Sequence, residues 1–184
     1  MFLTVAKVGG SLYDLPDLRD RLQAWISGFA GRVLLVPGGG ATADVVRHMD
    51  RVHRLGEEAG HWLALRTLTV NAHFLARLLG TRVVGSPGDE NVAVLDPHAY
   101  CLADEARAGA LPHSWWATSD AVAARVAEVT PADLVLLKSA NLPPGMSWSE
   151  AATAGLVDET FDSVVRRAGL RVTWVNLRSR HILR

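Results

Sequence analysis

Lys7-Val8-Gly9-Gly10-Ser11-Leu12 is the stretch on which the interpretation of this sequence depends. The residues from Phe2 to Val8 are mostly apolar and partly β-branched, so they predict a buried strand. A lysine in a buried strand is costly unless its ammonium group reaches an anion or water. The two glycines after the strand lack the Cβ atoms that would keep a ligand away from the backbone. The stretch therefore suggests a phosphate-binding strand end, although an ordinary strand-to-helix turn with a solvent-reaching lysine fits it equally well.

Only two lysines, Lys7 and Lys138, occur among the 19 basic residues, and both are predicted at the carboxyl ends of strands. A GC-rich genome that replaces lysine by arginine wherever the surface tolerates it accounts for the low number. Under that bias, lysine persists where a compact ammonium group is needed and a planar guanidinium group does not fit. The pair therefore marks two candidate functional positions, unless both survive by chance.

The composition predicts one globular domain over residues 1–184, with 49% hydrophobic and 21% charged residues. The net charge is zero, so we expect no nucleic-acid partner. No apolar run approaches the ~18 residues of a membrane-spanning helix, and no signal peptide is recognisable. The single cysteine, Cys101, cannot form an internal disulfide, which fits a cytoplasmic protein.

A second glycine-rich turn, Pro37-Gly38-Gly39-Gly40, follows the all-apolar strand Val33 to Val36. A helix is predicted after it, from about Ala41 to Arg51. Three consecutive glycines carry a high cost in chain entropy. A flexible turn is one interpretation, but a surface on which backbone amides meet a ligand is favoured, because these glycines again lie between a strand and a helix.

The rest of the chain alternates strands with helices, which predicts a three-layer α/β/α sandwich with a mostly parallel central sheet. The longest predicted helix, Glu57 to Leu79, is apolar over much of its circumference, so we expect it to be central or to lie at the interface of a homodimer. Further helices are predicted from Ser11 to about Gly28, Pro97 to Ala108, Ala121 to Val129, Ser149 to Ala154 and Asp158 to Ala168, and further strands at Arg82–Val84, Val92–Leu95, Leu134–Lys138, Arg171–Val175 and His181–Leu183.

Asp120 stands in Thr118-Ser119-Asp120, at the start of a predicted helix, where a plain N-cap is one interpretation. The other interpretation groups it with Lys7, Lys138 and the two glycine turns. Phosphoryl transfer needs positive charge around the transferred group, backbone donors that hold it, and a carboxylate that orients the lysines or a magnesium ion. The sequence contains no P-loop, no dinucleotide-binding glycine motif and no metal-binding histidine motif.

In their order along the chain, these motifs resemble those of the amino acid kinase superfamily, which includes acetylglutamate, aspartate and uridylate kinases. The resemblance is carried by Lys7-Val8-Gly9-Gly10-Ser11, Val36-Pro37-Gly38-Gly39-Gly40, Thr118-Ser119-Asp120-Ala121 and Leu136-Leu137-Lys138. The stretch Arg54 to Ala64 and the pair Ser114-Trp115 look most like the branch that phosphorylates an aminomethylfuran methyl phosphate in the synthesis of methanofuran-type cofactors. Bacterial relatives of that branch accompany one-carbon metabolism.

The resemblance implies a kinase that uses ATP and magnesium (Mg²⁺) to phosphorylate a small acceptor carrying a phosphate or carboxylate group. It implies catalytic roles for Lys7, Asp120 and Lys138, with Asp120 organising the two lysines. The implied nucleotide contacts are Lys7, Gly9, Gly10, Ser11, Ser119, Asp120, Lys138 and Ser139, and the implied acceptor contacts are Gly38, Gly39, Gly40, His61 and Thr118. A structural role is the competing interpretation of His61, since a lone histidine on a helix is weak evidence for a ligand contact. No residue is predicted to ligate a metal.

Two departures from the superfamily pattern leave a second class of function open beside the kinase. The loop Ser139 to Gly145 replaces the usual Asp-Gly turn and nucleotide-binding loop, and the stretch Gly155 to Thr160 lacks the second catalytic lysine that many members carry at a late helix. One interpretation is that Lys138 compensates for the missing lysine. The alternative is a regulatory or scaffold protein that binds a nucleotide or another ligand on the same fold without catalysis.

Overall fold

The computed structural model describes residues 2–179 of the chain. Within that range the strands form one six-stranded sheet in the order β3-β4-β2-β1-β5-β6, and every neighbouring pair is parallel. The strands are β1 (Leu3–Val8), β2 (Arg32–Pro37), β3 (Arg82–Val84), β4 (Val92–Leu95), β5 (Asp133–Lys138) and β6 (Val172–Asn176). The strand predicted at His181–Leu183 lies outside the described residues.

The helices cover both faces of the sheet and confirm the predicted three-layer α/β/α sandwich. They are α1 (Leu18–Ile26), α2 (Gly40–His53), α3 (Glu57–Leu79), α4 (Pro97–Asp104), α5 (Ser119–Val129), α6 (Trp148–Thr153) and α7 (Glu159–Ala168). One apolar core packs α5 and α7 against the sheet, and the other packs α1 and the second half of α3 against the opposite face. Burial of this apolar surface on two sides explains why the central strands are continuous hydrophobic runs.

Strand β1 lies in the middle of the sheet, and Lys7 lies near its carboxyl end, where the site forms. Val5 packs in the core under α5, whereas Ala6 and Val8 pack in the opposite core. By the two-residue alternation of a strand, Lys7 shares the face of Val5. Val8 pairs with Pro37 on one side and with Leu137 on the other. The parallel register therefore places both glycine turns and Lys138 at the same edge of the sheet.

Two helices are shorter than predicted. The segment after Ser11 forms only a 3₁₀ turn, Gly10–Leu12, and α1 starts at Leu18, because Pro16 has no N–H and disfavours a helical conformation of the residue before it. Helix α4 ends at Asp104 rather than Ala108. The turn that follows it directs the Ala108 carbonyl to the guanidinium group of Arg125.

No helix within residues 2–179 is long and apolar enough to cross a membrane. The single domain over residues 1–184 stays a prediction. Cys101 is a free thiol, and burial raises its pKa to about 12, so the thiol is protonated at neutral pH and is a poor nucleophile.

Candidate functional site

Two ammonium groups meet on one carboxylate at the carboxyl edge of the sheet. Lys7 Nζ lies 3.0 Å from Asp120 Oδ1, and Lys138 Nζ donates a hydrogen bond to Asp120 Oδ2 at 2.9 Å. The neighbouring strands β1 and β5 supply the lysines, and the first turn of α5 supplies the carboxylate. The three side chains are 7%, 12% and 7% exposed for Lys7, Lys138 and Asp120. The structure thus brings together all three residues predicted to be catalytic.

The charges at this site depend on one another. Burial alone would raise the pKa of Asp120, but the charges of Lys7 and Lys138 outweigh it and hold that pKa below its usual range. Burial, aided by repulsion from Lys7, lowers the pKa of Lys138 to about 8 even though Asp120 favours its charged form. At neutral pH two cations therefore face a single contacting carboxylate, and the remaining positive charge favours an anionic ligand.

Asp120 is not the N-cap of α5, so the plain capping interpretation is wrong. The N-cap residue is Thr118, which makes no capping hydrogen bond with its own side chain. The carboxylate of Asp158 accepts hydrogen bonds from the N–H groups of Thr118 and Ala121 instead. Because another residue performs the capping, the Asp120 side chain is free to bind the two lysines.

Lys138 has a second anchor in the late part of the chain. Its Nζ donates to the carbonyl of Leu156 at 2.7 Å and lies 5.3 Å from the ring centroid of Trp174. Leu156 belongs to the stretch Gly155 to Thr160, where the superfamily resemblance calls for a lysine that this chain lacks. The ammonium group of Lys138 therefore contacts the segment in which the superfamily resemblance would place the missing lysine.

The two glycine turns touch each other through their backbones. A Cβ atom added to Gly10 would lie 2.2 Å from the backbone nitrogen of Gly40, and one added to Gly38 would lie 2.5 Å from the nitrogen of Gly10. Gly40 also has a φ of 55°, which other residues rarely adopt. The close approach explains why glycine is required on both turns.

Only some of the predicted glycine amides are free to hold an anion. The N–H of Gly9 donates to the carbonyl of Leu137, and the N–H of Gly38 donates to the carbonyl of Val8, both at 2.8 Å. These two amides extend the sheet. Gly10 and Gly40 instead begin helical segments, where the first N–H groups have no acceptor within the helix.

Asn71, which the sequence analysis missed, supports the second turn. Its Nδ2 donates at 2.8 Å to the carbonyls of Gly38 and Gly39, and it lies 2.9 Å from Thr42 Oγ1. The hydroxyl of Tyr13 donates to the same Gly38 carbonyl. The one signal in the sequence is a polar residue at helical spacing from Leu68 and Leu75, and the structure buries all three on the same face of α3.

A cavity of about 170 Å³ opens beside the pair formed by Lys7 and Asp120. Of the predicted site residues, Lys7, Gly10, Gly39, Gly40, His61, Thr118, Ser119 and Asp120 line this cavity. Gly38, the remaining predicted acceptor contact, is not part of the lining. Because most of the predicted acceptor contacts surround this space, it is the candidate acceptor cavity.

The outer wall of the cavity contains a cation and an aromatic ring that the sequence did not assign to the site. The guanidinium carbon of Arg47 lies 5.2 Å from the ring centroid of Trp115. Trp115 Nε1 donates to Asp50 Oδ2 at 2.8 Å, and a Cβ atom added to Gly60 would approach Trp115 Nε1 to 2.8 Å. These contacts fix the indole ring, which in turn supports Arg47.

His61 is a neutral group on the cavity wall. Burial lowers its pKa, and the nearby His113 lowers it further, against a contact between its Nδ1 and the carbonyl of Ser114 at 3.2 Å. The rings of His61 and His113 stack with centroids 5.5 Å apart. At neutral pH the side chain can therefore donate or accept a hydrogen bond, but it adds no charge.

The predicted nucleotide contacts Ser11 and Ser139 lie together, and neither is part of the cavity lining. Their hydroxyl oxygens are 2.8 Å apart. The loop after Lys138 is held by Trp174, whose Nε1 donates to the carbonyl of Ala140 at 2.8 Å. The loop after Lys138 is therefore held next to the first glycine turn.

No family model matches the chain. The chain is 23% identical to the (5-(aminomethyl)furan-3-yl)methyl phosphate kinase of Methanocaldococcus jannaschii, over 94% of its own length and 87% of that protein. The uridylate kinase of Archaeoglobus fulgidus has a TM-score of 0.65 at 16% identity, covering 95% of this chain and 90% of that one. The UMP kinase of Bacillus anthracis also gives 0.65, at 10% identity, covering 98% and 89%. The chain therefore has the fold of these kinases over nearly its full length.

Proposed function

We propose that the chain is a member of the amino acid kinase superfamily and an ATP-dependent kinase that transfers the γ-phosphoryl group to a small acceptor. The reacting group of that acceptor is a phosphate or a carboxylate. The observation that carries the proposal is the convergence of Lys7 and Lys138 on Asp120, beside a cavity walled by glycine backbone.

The two lysines have the geometry for electrostatic catalysis. A phosphoryl group in transfer carries negative charge on its outer oxygens, and fixed cations in a dry site stabilise that charge without reorganising. Lys7 lines the acceptor cavity, whereas Lys138 lies toward Ser139 and Trp174. Asp120 holds both ammonium groups, so they face the transferred group from two sides.

The acceptor needs no general base if its reacting oxygen is already ionised. The candidate bases on the lining of this cavity are the carboxylate of Asp120 and the imidazole of His61. The carboxylate of Asp120 is already bound to the two lysines. A phosphate or carboxylate oxygen is anionic at neutral pH and can attack without losing a proton. Such an acceptor is therefore favoured over an alcohol.

ATP and magnesium fit the site in different ways. The free amides beside Gly10 and Gly40 and the neighbouring lysines suit the phosphate oxygens of a nucleotide, which would supply the phosphoryl group. Among residues 2–179 no group of three or more His, Cys, Asp or Glu side chains could hold a metal ion. Magnesium would therefore arrive with the nucleotide, held mainly by its phosphate oxygens.

The aminomethylfuran methyl phosphate used by the Methanocaldococcus jannaschii relative is the first acceptor to test. The stretch Arg54 to Ala64, which carries the resemblance to that branch, contributes Gly60 behind Trp115 and His61 on the cavity wall. A small ring with an ionised phosphate suits a cavity of about 170 Å³. With this acceptor, the protein would serve methylofuran biosynthesis and one-carbon metabolism in the cytoplasm.

A homodimer is the oligomeric state we propose. Apolar side chains on α2 and α3 are exposed, among them Val45, Met49, Val52, Val70 and Phe74. An exposed apolar surface of this kind is typical of a subunit interface.

The decisive experiment incubates the full chain with ATP, magnesium and a panel of phosphate and carboxylate acceptors, and detects the phosphorylated product by phosphorus NMR. Transfer to at least one acceptor, lost in Lys7→Ala, is the expected result. Nucleotide binding without transfer to any acceptor would instead favour the regulatory or scaffold alternative.

A further inference from the structure

Asp158 is a buried carboxylate that joins two helices beside the lysine pair. Its Oδ2 accepts hydrogen bonds from the N–H of Thr118, the hydroxyl of Thr118 and the N–H of Ala121, at 3.0, 2.9 and 2.8 Å. Its Oδ1 accepts from the N–H of Phe161 at 2.9 Å. One side chain therefore caps the start of α7, which it precedes, and the start of α5, which lies far away in sequence.

Both segments that Asp158 connects also hold Lys138. Asp120, which accepts from Lys138 Nζ, lies between the Thr118 and Ala121 amides that Asp158 fixes. Leu156, whose carbonyl also accepts from Lys138 Nζ, precedes Asp158 by two residues. The bridge therefore sets the distance between the two acceptors of the same ammonium group.

Capping alone does not require this arrangement. Ser147 caps α6 with a hydroxyl group. Asp96 caps α4 and meets α3 through the side-chain hydroxyl of Thr69, in the middle of that helix, whereas Asp158 binds the first backbone amides of a second helix. Burial, and then the charge of Asp120, raises the pKa of Asp158 to about 6, although the groups bonded to it at Thr118 and Ala121 favour its ionised form. A carboxylate placed in so unfavourable an environment is better explained by the second helix it holds than by the cap of α7.

We propose that Asp158 is a positioning residue for phosphoryl transfer: it fixes Asp120 and the Leu156 carbonyl relative to each other and thereby holds the ammonium group of Lys138 in place. This inference rests on the kinase function proposed above. Asp158 does not line the acceptor cavity. Its loss should therefore lower kcat more than it raises KM for the acceptor.

The test uses the fact that the chain contains only two lysines. Full-length protein grown on isotope-labelled lysine gives two lysine side-chain NMR signals, and Lys138→Arg identifies which one belongs to Lys138. The test variants are Asp158→Asn and Asp158→Ser. A serine still caps α7, so the second variant keeps the fold even if the first does not. Asp96→Asn is the matched control, because it alters an aspartate cap of a different helix.

In both Asp158 variants we expect the Lys138 signal to shift and its titration midpoint to move away from about pH 8. The Asp96 variant should leave both unchanged. We also expect kcat to fall by roughly tenfold to a hundredfold, the loss typical of a small misplacement of a catalytic group. Folded Asp158 variants with an unchanged Lys138 signal and unchanged kcat would overturn the proposal.

The two readouts separate this inference from the proposed function. The NMR signals are recorded without nucleotide or acceptor, so they report whether Asp158 holds Lys138 whatever reaction the protein performs. A shifted signal in a protein that phosphorylates nothing would overturn the kinase assignment and the catalytic part of this inference. Full kinase activity with an unshifted signal would overturn the positioning role alone.

Discussion

The ammonium group of Lys138 donates a hydrogen bond to the main-chain carbonyl of Leu156 at 2.7 Å. This contact ties the end of β5 to the segment that leads into α7. The same nitrogen binds Asp120, so the lysine spans two elements that the sequence separates. The segment Gly155 to Thr160, which lacks the late lysine of the superfamily pattern, is therefore in contact with the ammonium group of Lys138.

Replacing Lys7 by alanine should lower turnover by at least about a hundredfold, because the transferred group loses a cation that lines the cavity. The fold should survive, since Asp120 keeps its hydrogen bond to Lys138. Steady-state kinetics and circular dichroism measure the two effects. Arg19→Ala, which removes an exposed charge on α1, is the control and should change neither. Near-normal turnover of the Lys7 variant would remove the basis of the kinase assignment.

Turnover should fall as the pH rises through about 8, where Lys138 gives up its proton. The stability contribution of Lys138 should change in the opposite direction. Its pKa in the folded state lies below the ordinary value of 10.5, so between these values the unfolded chain binds more protons. The free energy of unfolding therefore gains from this residue as the pH rises over that window.

The matching variant is Lys138→Arg, whose side chain stays charged throughout this range. It should be less active at neutral pH, because a guanidinium group does not fit the site of an ammonium group, but its alkaline decline should disappear. A pH–rate profile of both proteins is the measurement. The same alkaline decline in the arginine variant would mean that another group is responsible.

Gly10→Ala should lower the free energy of unfolding by about 1–3 kcal/mol, because the new methyl group must push two backbone turns apart. It should also abolish turnover, since the separated turns no longer frame the cavity. Gly85→Ala is the control, because a Cβ atom there meets only Ala99 Cβ at an ordinary 3.6 Å. Urea unfolding compares the two, and equal stability of both variants would contradict the contact between the turns.

Asn71→Leu should cost about 1–3 kcal/mol of stability, because the carbonyl of Gly39 loses the Asn71 donor and the carbonyl of Gly38 keeps the hydroxyl of Tyr13 but loses Asn71. Because those carbonyls belong to the second turn, KM for the acceptor should rise as well. Gln23→Ala removes an exposed amide from α1 and serves as the control. An Asn71 variant with unchanged stability and unchanged KM would show that the turn does not depend on this amide.

The mass of the protein in solution, measured by light scattering, should be twice that of one chain. Val52→Glu places a charge on the exposed apolar surface of α2 and should convert the dimer to monomers. Leu102→Glu changes an equally exposed apolar side chain on α4 and should not, since Val52 is 56% and Leu102 57% exposed. A monomeric unchanged chain, or a dimer that tolerates Val52→Glu, would exclude this surface as the interface.

The sequence was sufficient for the fold because its signals are local and agree with one another. Helix α3 has its predicted bounds, since an apolar periodic run lies between Gly56 and Gly80, which both have positive φ. The resemblance to the amino acid kinase superfamily is confirmed. The placement in its furan-phosphate branch stays a prediction, as do the roles of the individual site residues.

The parts of the site that the sequence did not reveal depend on contacts between distant segments. Asp158 and Asp96 both look like ordinary helix caps in the sequence, and only the packing of α5 against α7 distinguishes them. Arg47 looks like any charge on an exposed helix face until Trp115 is found beneath it. Asp120 had two interpretations, and the choice between them required the position of a second carboxylate, that of Asp158.

Both lysine side chains of this protein lie in one buried cluster, so acylation of a lysine ε-amine can occur only within the candidate site. A reactive acyl phosphate of a nucleotide would deliver its label to Lys7 or Lys138 or to no lysine at all. Mass spectrometry of a single labelled peptide could then report, even in a crude extract, whether the site is occupied.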